Sequence, residues 1–565
     1  MYTLSEKLST QSNFAIGVEL VTTRGTMDDV QAVRARTFAA QLVHSDRIDW
    51  VSITDNAGGN PQLSPMALGK PILYGGKEVL IHLSCKDFNR NGLESEAWQL
   101  ASEGFHNILA LSGDYSATGY HGRAKPVFDI DSIGLLTMLD EMNRGWERPS
   151  GLSKKASQAR LATNFYVGAV TTNFKRHENE VIPQLLKLEK KVACGARFII
   201  AQIGFDARKS HELLCYMRRQ GMGHIPLVGN VFLLSRSVLN FFRGKSIPGV
   251  VVSDDLMNVC RRYFNGPDRG AKFFIELAAK QLAIFRNLGF AGGYLGGVHS
   301  LEGVQAILDV ESSFAADDWK EFAREIRYSV PDEFYYFAED PTTGCADASQ
   351  LHPSYASSLV NRKKSHNVTV SYRFSKWIHE IIFTPGRRLY KWARAVFASA
   401  ANKKQGPLIL RIMEKSSKSV LFKCKDCGDC SLPDIAFLCP ESQCAKNQRN
   451  GPCGGTRDGK CEVDEFECIW SRAYDRLKYN GHEQSLLDHA PVIQDESLRG
   501  TSSWANALLG LDHHSRRIVI STDTIKFAAP DPMTQPSARE NPINDHCATK
   551  QTAKPAASGA SRSAL

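Results

Sequence analysis

Eight short apolar runs recur between Phe14 and Gly297: FAIGVEL ending at Leu20, IDWVSIT at Thr54, VLIHLSC at Cys85, NILALSG at Gly113, NFYVGAV at Val170, FIIAQI at Ile203, IPLVGNV at Val231 and GGYLGG at Gly297. Most are nearly continuous rather than alternating, the pattern of parallel strands covered on both faces. Segments of helical periodicity lie between them. TMDDVQAVRARTFAAQL opens on Thr26 as the expected N-cap with two acids in its first turn. LESEAWQLASEGF, IDSIGLLTMLDEM, EVIPQLLKLEKKVACG, SHELLCYMRRQG, FFIELAAKQLAIFRNLG and SLEGVQAIL follow. Strand and helix alternating in this way predict an α/β fold of the (β/α)8 TIM-barrel type. The competing doubly wound sheet wants a glycine fingerprint after its first strand. VTTRGT follows that strand here, and neither GGYLGG nor GPCGG fits the fingerprint.

Barrels place their chemistry at the C-terminal ends of the strands. Those ends carry Glu19, Thr54 followed by Asp55 and Asn56, His82, Asp114 and Gln202. His82 alone reads as a satisfied interior histidine, but five polar groups converging on one rim are costly to bury unless they are used. Glu19 falls deep in the barrel mouth, where burial raises a carboxyl pKa and suits it to act as a general acid near neutral pH. Asp114, on a Gly-Asp turn, is better placed to orient a cofactor.

With 565 residues the chain is long enough for more than one domain. No run of about 18 apolar residues occurs, and the opening MYTLSEKLSTQSNF lacks the basic and apolar regions of a secretory signal, so the cytoplasm is the expected compartment. Asn361 to Lys423 holds 15 Lys or Arg against two Glu, an excess of 13 against a net charge of +9 for the whole chain, so the remainder is slightly acidic. Such a stretch raises a nucleic-acid reading. RFSKWIHEIIF and RRLYKWARAVFASA instead show apolar residues at helical spacing, and helices that dock two domains are preferred over nucleic-acid binding or a membrane-surface role.

Eight of the 14 cysteines fall at 424, 427, 430, 439, 444, 453, 461 and 468. In a reducing compartment this density points to metal or redox chemistry rather than disulfides. The opening C-x2-C-x2-C suits an iron–sulfur cluster, four thiolates suffice for zinc, and eight leave room for two centres. Cys424, Cys427, Cys430, Cys439, Cys444, Cys453, Cys461 and Cys468 are the candidate ligands, and metal binding is expected to supply much of the folding energy of a module so poor in apolar residues. The expected organisation is a barrel over 1–345, a basic helical segment over 346–420, a cysteine-rich metal-binding domain over 421–526 and a disordered tail over 527–565.

The series VEL, VSITDNAGG, IHLSC, ILALSGD and KKVACGARFIIAQIGFD resembles the methylenetetrahydrofolate reductase family, in order and at the matching strand ends. The resemblance implies a barrel that binds FAD without a dinucleotide fold, NAD(P)H as reductant and ping-pong hydride transfer between 5,10-methylenetetrahydrofolate and 5-methyltetrahydrofolate, in either direction. By position it implies Glu19 as the acid that protonates folate N10, Asp114 beside flavin and pterin, Gln202 on the pterin, and Thr54 and His82 as flavin contacts. Lys191 matches the lysine that pairs with the FAD diphosphate, with Lys190 in place of a basic neighbour. There are departures. The arginine of the family's L-R-G-D is Ser112. The A-A-Y-P segment after the fifth strand reads GAVTTN, with Gly168 and Ala169 at its cofactor-binding start and no tyrosine. The acid before Lys191 is Gln184, which still offers a hydrogen bond to a cofactor hydroxyl.

DCGDCSLPDIAFLCPESQCAKNQRNGPCGGTRDGKCEV and GTSSWANALLGLDHH resemble the C-terminal domain fused to some bacterial members and a partner subunit of acetogen reductases, which are linked to iron–sulfur or zinc binding. That resemblance adds a redox protein partner as an alternative electron donor. A folate substrate, no nucleic acid and no membrane span are expected, and a homo-oligomer is left open. Two other readings compete. In one, the barrel is degenerate and the cysteine module is an electron-transfer or scaffold protein. In the other, the chain is a different flavin barrel such as a proline dehydrogenase.

Overall fold

The computed structural model describes residues 2–10, 14–145, 162–244, 249–400, 402–464, 466–487 and 489–515. The expected disordered tail and Cys547 lie outside them. Eight parallel strands, Ala15–Leu20, Trp50–Ile53, Glu78–Ser84, Asn107–Leu111, Tyr166–Thr171, Phe198–Ala201, Leu227–Phe232 and Gly292–Gly296, pair in sequence order. The eighth returns to the first through Ala15↔Gly292 to Val18↔Leu295 and closes the barrel. Each of the eight apolar runs overlaps one strand. Thr54, Asp114 and Gln202 fall just past the paired residues, on the rim.

The first long helix is Val30–Val43, not a helix beginning after Thr26. The carboxylate of Asp29 accepts a hydrogen bond from the Thr26 backbone N–H at 2.8 Å, so this acid, counted into the first turn, shapes the preceding loop instead. Pro65–Tyr74, Arg236–Arg243 and Asp254–Tyr263 are helices that the periodicity did not reveal.

The N-terminal end of the barrel is an apolar floor. Trp50, Leu80, Leu109, Phe198, Ile200, Val228 and Tyr294 fill it, and the short helix Leu4–Ser9 inserts Leu4 and Leu8 beneath them. Trp50 stacks on Tyr294 with centroids 5.3 Å apart. Small residues alternate with large ones around the ring. A Cβ on Gly17 would lie 2.1 Å from the Trp50 ring, and one on Gly168 would lie 2.2 Å from that of Phe198, so the glycines leave the space these rings occupy.

Beyond the barrel, helices Val370–Ile382, Arg388–Ala398 and Leu408–Phe422 carry eight of the 15 basic residues of this stretch. They dock through few positions: Ala393 and Phe397 pack on Ala505 and Leu508, and Tyr372 is buried. Trp377, Trp392, Ile409 and Val420 stay exposed. Among the described residues no helix is long and apolar enough to cross a membrane. The cysteine-rich stretch has little regular structure. Its turns place Asp426, Ala436, Phe437, Asn447 and Asp458 at positive φ, which costs a non-glycine residue roughly 1–2 kcal/mol each. Helix Ile469–Tyr479 follows and lies along helix Glu178–Ala193 of the barrel.

Candidate active site and thiol centres

A cavity of about 480 Å³ opens at the C-terminal ends of the strands. Glu19, Thr54, His82, Asp114, Gln184, Lys191 and Gln202 all line it. The parallel register puts Glu19 beside Ser52 and Asn230 beside Tyr294, so neighbouring strands deliver their polar residues at similar heights.

Glu19 sits at the bottom of this space. Burial raises its carboxyl pKa, and the Tyr294 hydroxyl, donating to Oε2 at 2.7 Å, moderates the rise. His82 shares a 2.8 Å hydrogen bond between Nε2 and the Ser52 hydroxyl, and burial lowers its pKa to about 4, so its imidazole is neutral. Asp114 Oδ2 accepts the Gly58 backbone N–H at 2.9 Å. Gln202 turns its carbonyl onto the Ile203 N–H at 2.9 Å. Asp55 accepts from the Ser84 hydroxyl at 2.6 Å, and burial raises its pKa too. Thr54 Oγ1, Thr171 Oγ1, Gln184 Nε2 and Asn230 Oδ1 are buried without a hydrogen-bond partner among the described residues, and all four residues face the cavity. Orphaned polar atoms grouped around one space are the mark of a polar ligand's site.

Helix Glu178–Ala193 presents Gln184, Lys187 and Lys191 to the cavity, three and four residues apart on one face. Among the described residues neither lysine makes an ion pair, and burial lowers the Lys191 pKa to about 7. Lys190 lies elsewhere: its ammonium meets His489 Nε2 at 2.9 Å and does not line the cavity. Nor do Gly168 and Ala169. Gly168 lies against the Phe198 ring lower in the barrel, and Ala169 is buried in the core.

The cysteine-rich stretch roofs this cavity. Lys446, Cys453, Gly454, Gly455 and Glu462 complete its wall. Lys446 donates to the Gly113 carbonyl at 2.9 Å and pairs with Glu462. Lys187 donates to the Gly451 and Pro452 carbonyls, both at 3.1 Å, and Lys175 to that of Gly454 at 2.6 Å. Ser112 donates to Gln448 Oε1 at 3.0 Å, so the position where the family pattern has arginine is here a contact with the roof.

The eight cysteines fall into two quartets, all with free thiols. Burial raises the thiol pKa values of Cys424, Cys427 and Cys439, and all three also feel the charge of Cys430. Cys444, Cys453, Cys461 and Cys468 line a second, separate pocket. Backbone N–H groups of Asp426, Gln448 and Gly455 point at Cys424, Cys444 and Cys453 sulfurs at 3.4, 3.5 and 3.5 Å, and the Lys418 ammonium lies 3.7 Å from Cys430. Donors aimed at sulfur stabilise thiolates, and four thiols per group is the ligand count of a zinc site or an iron–sulfur cluster.

Tyr294, Asn230, Thr171, Lys187, Lys446 and Glu462 were not singled out from the sequence, and Cys453 was singled out only as a metal ligand. Lys187 was accessible through its helical spacing from Gln184 and Lys191. The roof carried no such signal, because its contacts join positions hundreds of residues apart.

The profile of the family described as Methylenetetrahydrofolate reductase matches residues 7–299, and that described as Methylene-tetrahydrofolate reductase C terminal matches 408–496. A search among curated proteins finds no match. Among solved structures, an uncharacterized Clostridium thermocellum protein that binds two copies of 5-methyl-5,6,7,8-tetrahydrofolic acid is 10% identical, with 55% of this chain and 97% of that one covered and a TM-score of 0.37. A Yersinia pestis DHPS with a pterine-sulfa conjugate is 14% identical, with 54% and 95% covered and a TM-score of 0.28. The first profile spans more than half of the chain and coincides with the barrel whose mouth holds Glu19, Asp114 and Gln202; the protein belongs to the methylenetetrahydrofolate reductase family, with that family's C-terminal domain on the same chain.

Proposed function

We propose that the protein interconverts 5,10-methylenetetrahydrofolate and 5-methyltetrahydrofolate by hydride transfer through FAD, with Glu19 as the general acid. The observation that carries this reading is the convergence of Glu19, Asp114 and Gln202 on one cavity at the strand ends, with the Glu19 carboxyl held toward its protonated form by burial. The cavity suits a flavin in two respects. Its orphaned Thr54, Thr171, Gln184 and Asn230 atoms match a ligand rich in hydrogen-bonding groups. Its Lys191 side chain, which among the described residues meets the Val170 carbonyl and no carboxylate, is placed to meet a diphosphate, while Lys187 ties the roof to the barrel. FAD, when bound, supplies a reversible hydride carrier.

The chain's own residues do the rest. Glu19 holds the proton for folate N10, and Tyr294 fixes the orientation of its carboxyl. Gln202 hydrogen-bonds the pterin. Asp114, anchored by the Gly58 N–H, keeps negative charge beside the reacting rings. Thr54, His82 and Gln184 position the cofactor. The roof excludes water from one side of the cavity, which strengthens every polar interaction inside it.

Cys453 supports a second point, the electron donor. It belongs to the second thiol quartet and also lines the barrel cavity, which favours a protein donor acting from the cysteine side over NAD(P)H. The test is anaerobic purification followed by addition of NADH, NADPH and methyltetrahydrofolate in separate cuvettes. Bleaching of flavin absorbance by methyltetrahydrofolate is the expected result. Bleaching by NAD(P)H as well would remove the need for a protein donor. Absence of flavin, even after soaking in FAD, would sink the reductase reading and leave the metal-binding scaffold.

A further inference from the structure

We propose that Asp434, His513 and His514 form a divalent-metal site of nitrogen and oxygen donors, separate from both thiol quartets. One ligand atom from each of the three residues lies within 4.8 Å of the others. His513 Nε2 is 3.0 Å from Asp434 Oδ2, and His514 Nε2 is 3.0 Å from Asp434 Oδ1. The other nitrogen of each ring also meets a carboxylate: His513 Nδ1 meets Asp429, and His514 Nδ1 lies 3.1 Å from Asp512. Asp429, Asp512, His513 and the Asp434 carboxylate are buried.

A neutral imidazole has one N–H to donate. In both rings Nδ1 is turned to an outer carboxylate and Nε2 to an oxygen of Asp434. The ring centroids are 3.9 Å apart, which brings both Nε2 atoms to the same carboxylate. A cation between the two Nε2 atoms and Asp434 satisfies all three groups at once. The outer carboxylates then take the place they hold around metal-bound histidines, fixing the tautomer and aiming the ring.

The donor set selects the metal. Two imidazoles and one carboxylate suit Zn²⁺ and its first-row neighbours, whereas Ca²⁺ and Mg²⁺ prefer oxygen alone. The His514 side chain keeps 40% of its exposure, which leaves a face open to water as a further ligand. Asp429 lies between Cys427 and Cys430, and the His513 N–H also donates to it at 3.2 Å. An ion here would pin the turn His513–Ser515 onto the loop of the first thiol quartet without using any sulfur.

The test uses the full chain with its thiol-bound metal in place, titrated with Zn²⁺ and with Co²⁺. The expected result is one equivalent beyond the thiol-bound content, with Co²⁺ showing weak d–d bands and no intense sulfur charge-transfer band. His514→Ala should lose that equivalent, and Asp512→Asn should weaken it by about 10–100-fold, both with unchanged thiol-bound metal. Equal uptake by wild type and His514→Ala, or no uptake by wild type beyond the thiols, would overturn the site. If a variant misfolds, anomalous scattering at the zinc edge from zinc-soaked wild-type crystals decides: a peak between the two Nε2 atoms supports the site, and its absence refutes it.

Discussion

The two ends of the barrel are built on opposite principles. At the floor, Trp50, Phe198 and Tyr294 interlock over glycines and the short N-terminal helix seals the gap. At the mouth, four buried polar atoms have no hydrogen-bond partner among the described residues, a carboxyl is held above its ordinary pKa, and two lysines face the cavity outside any ion pair of the described residues. The same eight strands run through both ends, and helix Glu178–Ala193 adds Gln184, Lys187 and Lys191 at the mouth. Burying polar groups costs free energy that apolar packing does not. The floor is therefore the source of stability, and the mouth spends some of it on binding and chemistry.

That contrast can be broken at either end. Glu19→Gln should lower the rate of methylenetetrahydrofolate reduction by about 10²–10⁴-fold while leaving the melting temperature unchanged or higher; a rate loss matched by a loss of stability would make Glu19 structural. Trp50→Ala at the floor should do the reverse, costing about 3–5 kcal/mol in denaturant unfolding with kcat per folded molecule preserved. Lys446→Met tests the roof. Losing its bonds to Gly113 and Glu462 should cost about 1.5–3 kcal/mol and raise the KM for folate more than it lowers kcat.

The smallest change sharpens the mechanism. Tyr294→Phe removes a hydrogen bond that favours the Glu19 carboxylate, worth about 1 kcal/mol. Its signature is in the pH profile. With the Glu19 pKa raised in the fold, folate reduction needs the protonated acid and should fall as pH rises through that pKa. The reverse oxidation needs the carboxylate and should rise over the same range. In Tyr294→Phe both limbs should move to higher pH. Stability follows the same sign: this group's contribution is fully present below its unfolded pKa and is lost as pH climbs through the raised folded value.

The barrel was legible because apolar runs and strand-end polarity are local signals. Glu19, Thr54, His82, Asp114 and Gln202 followed from asking which residues end each strand, and all five face one cavity. Lys190 and Lys187 show where local reading falters. Three residues apart on a helix, the two lysines share a broad face, and only the packing around Glu178–Ala193 decided that Lys187 reaches the cavity and Lys190 meets His489. The helix expected at Thr26 was misplaced because Asp29 serves the loop rather than the first turn. The roof and the His513–Asp434–His514 cluster were hidden for a different reason: each joins stretches far apart in the chain, and no periodicity records such a meeting.

The covalent arrangement of the roof has a consequence for how such a protein can be divided or inherited. Two family profiles divide this chain into two modules, yet Lys446 and Glu462 finish the wall of a cavity begun by Glu19. A gene cut between the modules would yield a barrel with an unfinished active site and a thiol domain with an exposed underside. The halves could serve as separate subunits only while their shared surface was preserved, so recombination at this boundary should be tolerated only when both sides of the seam travel together.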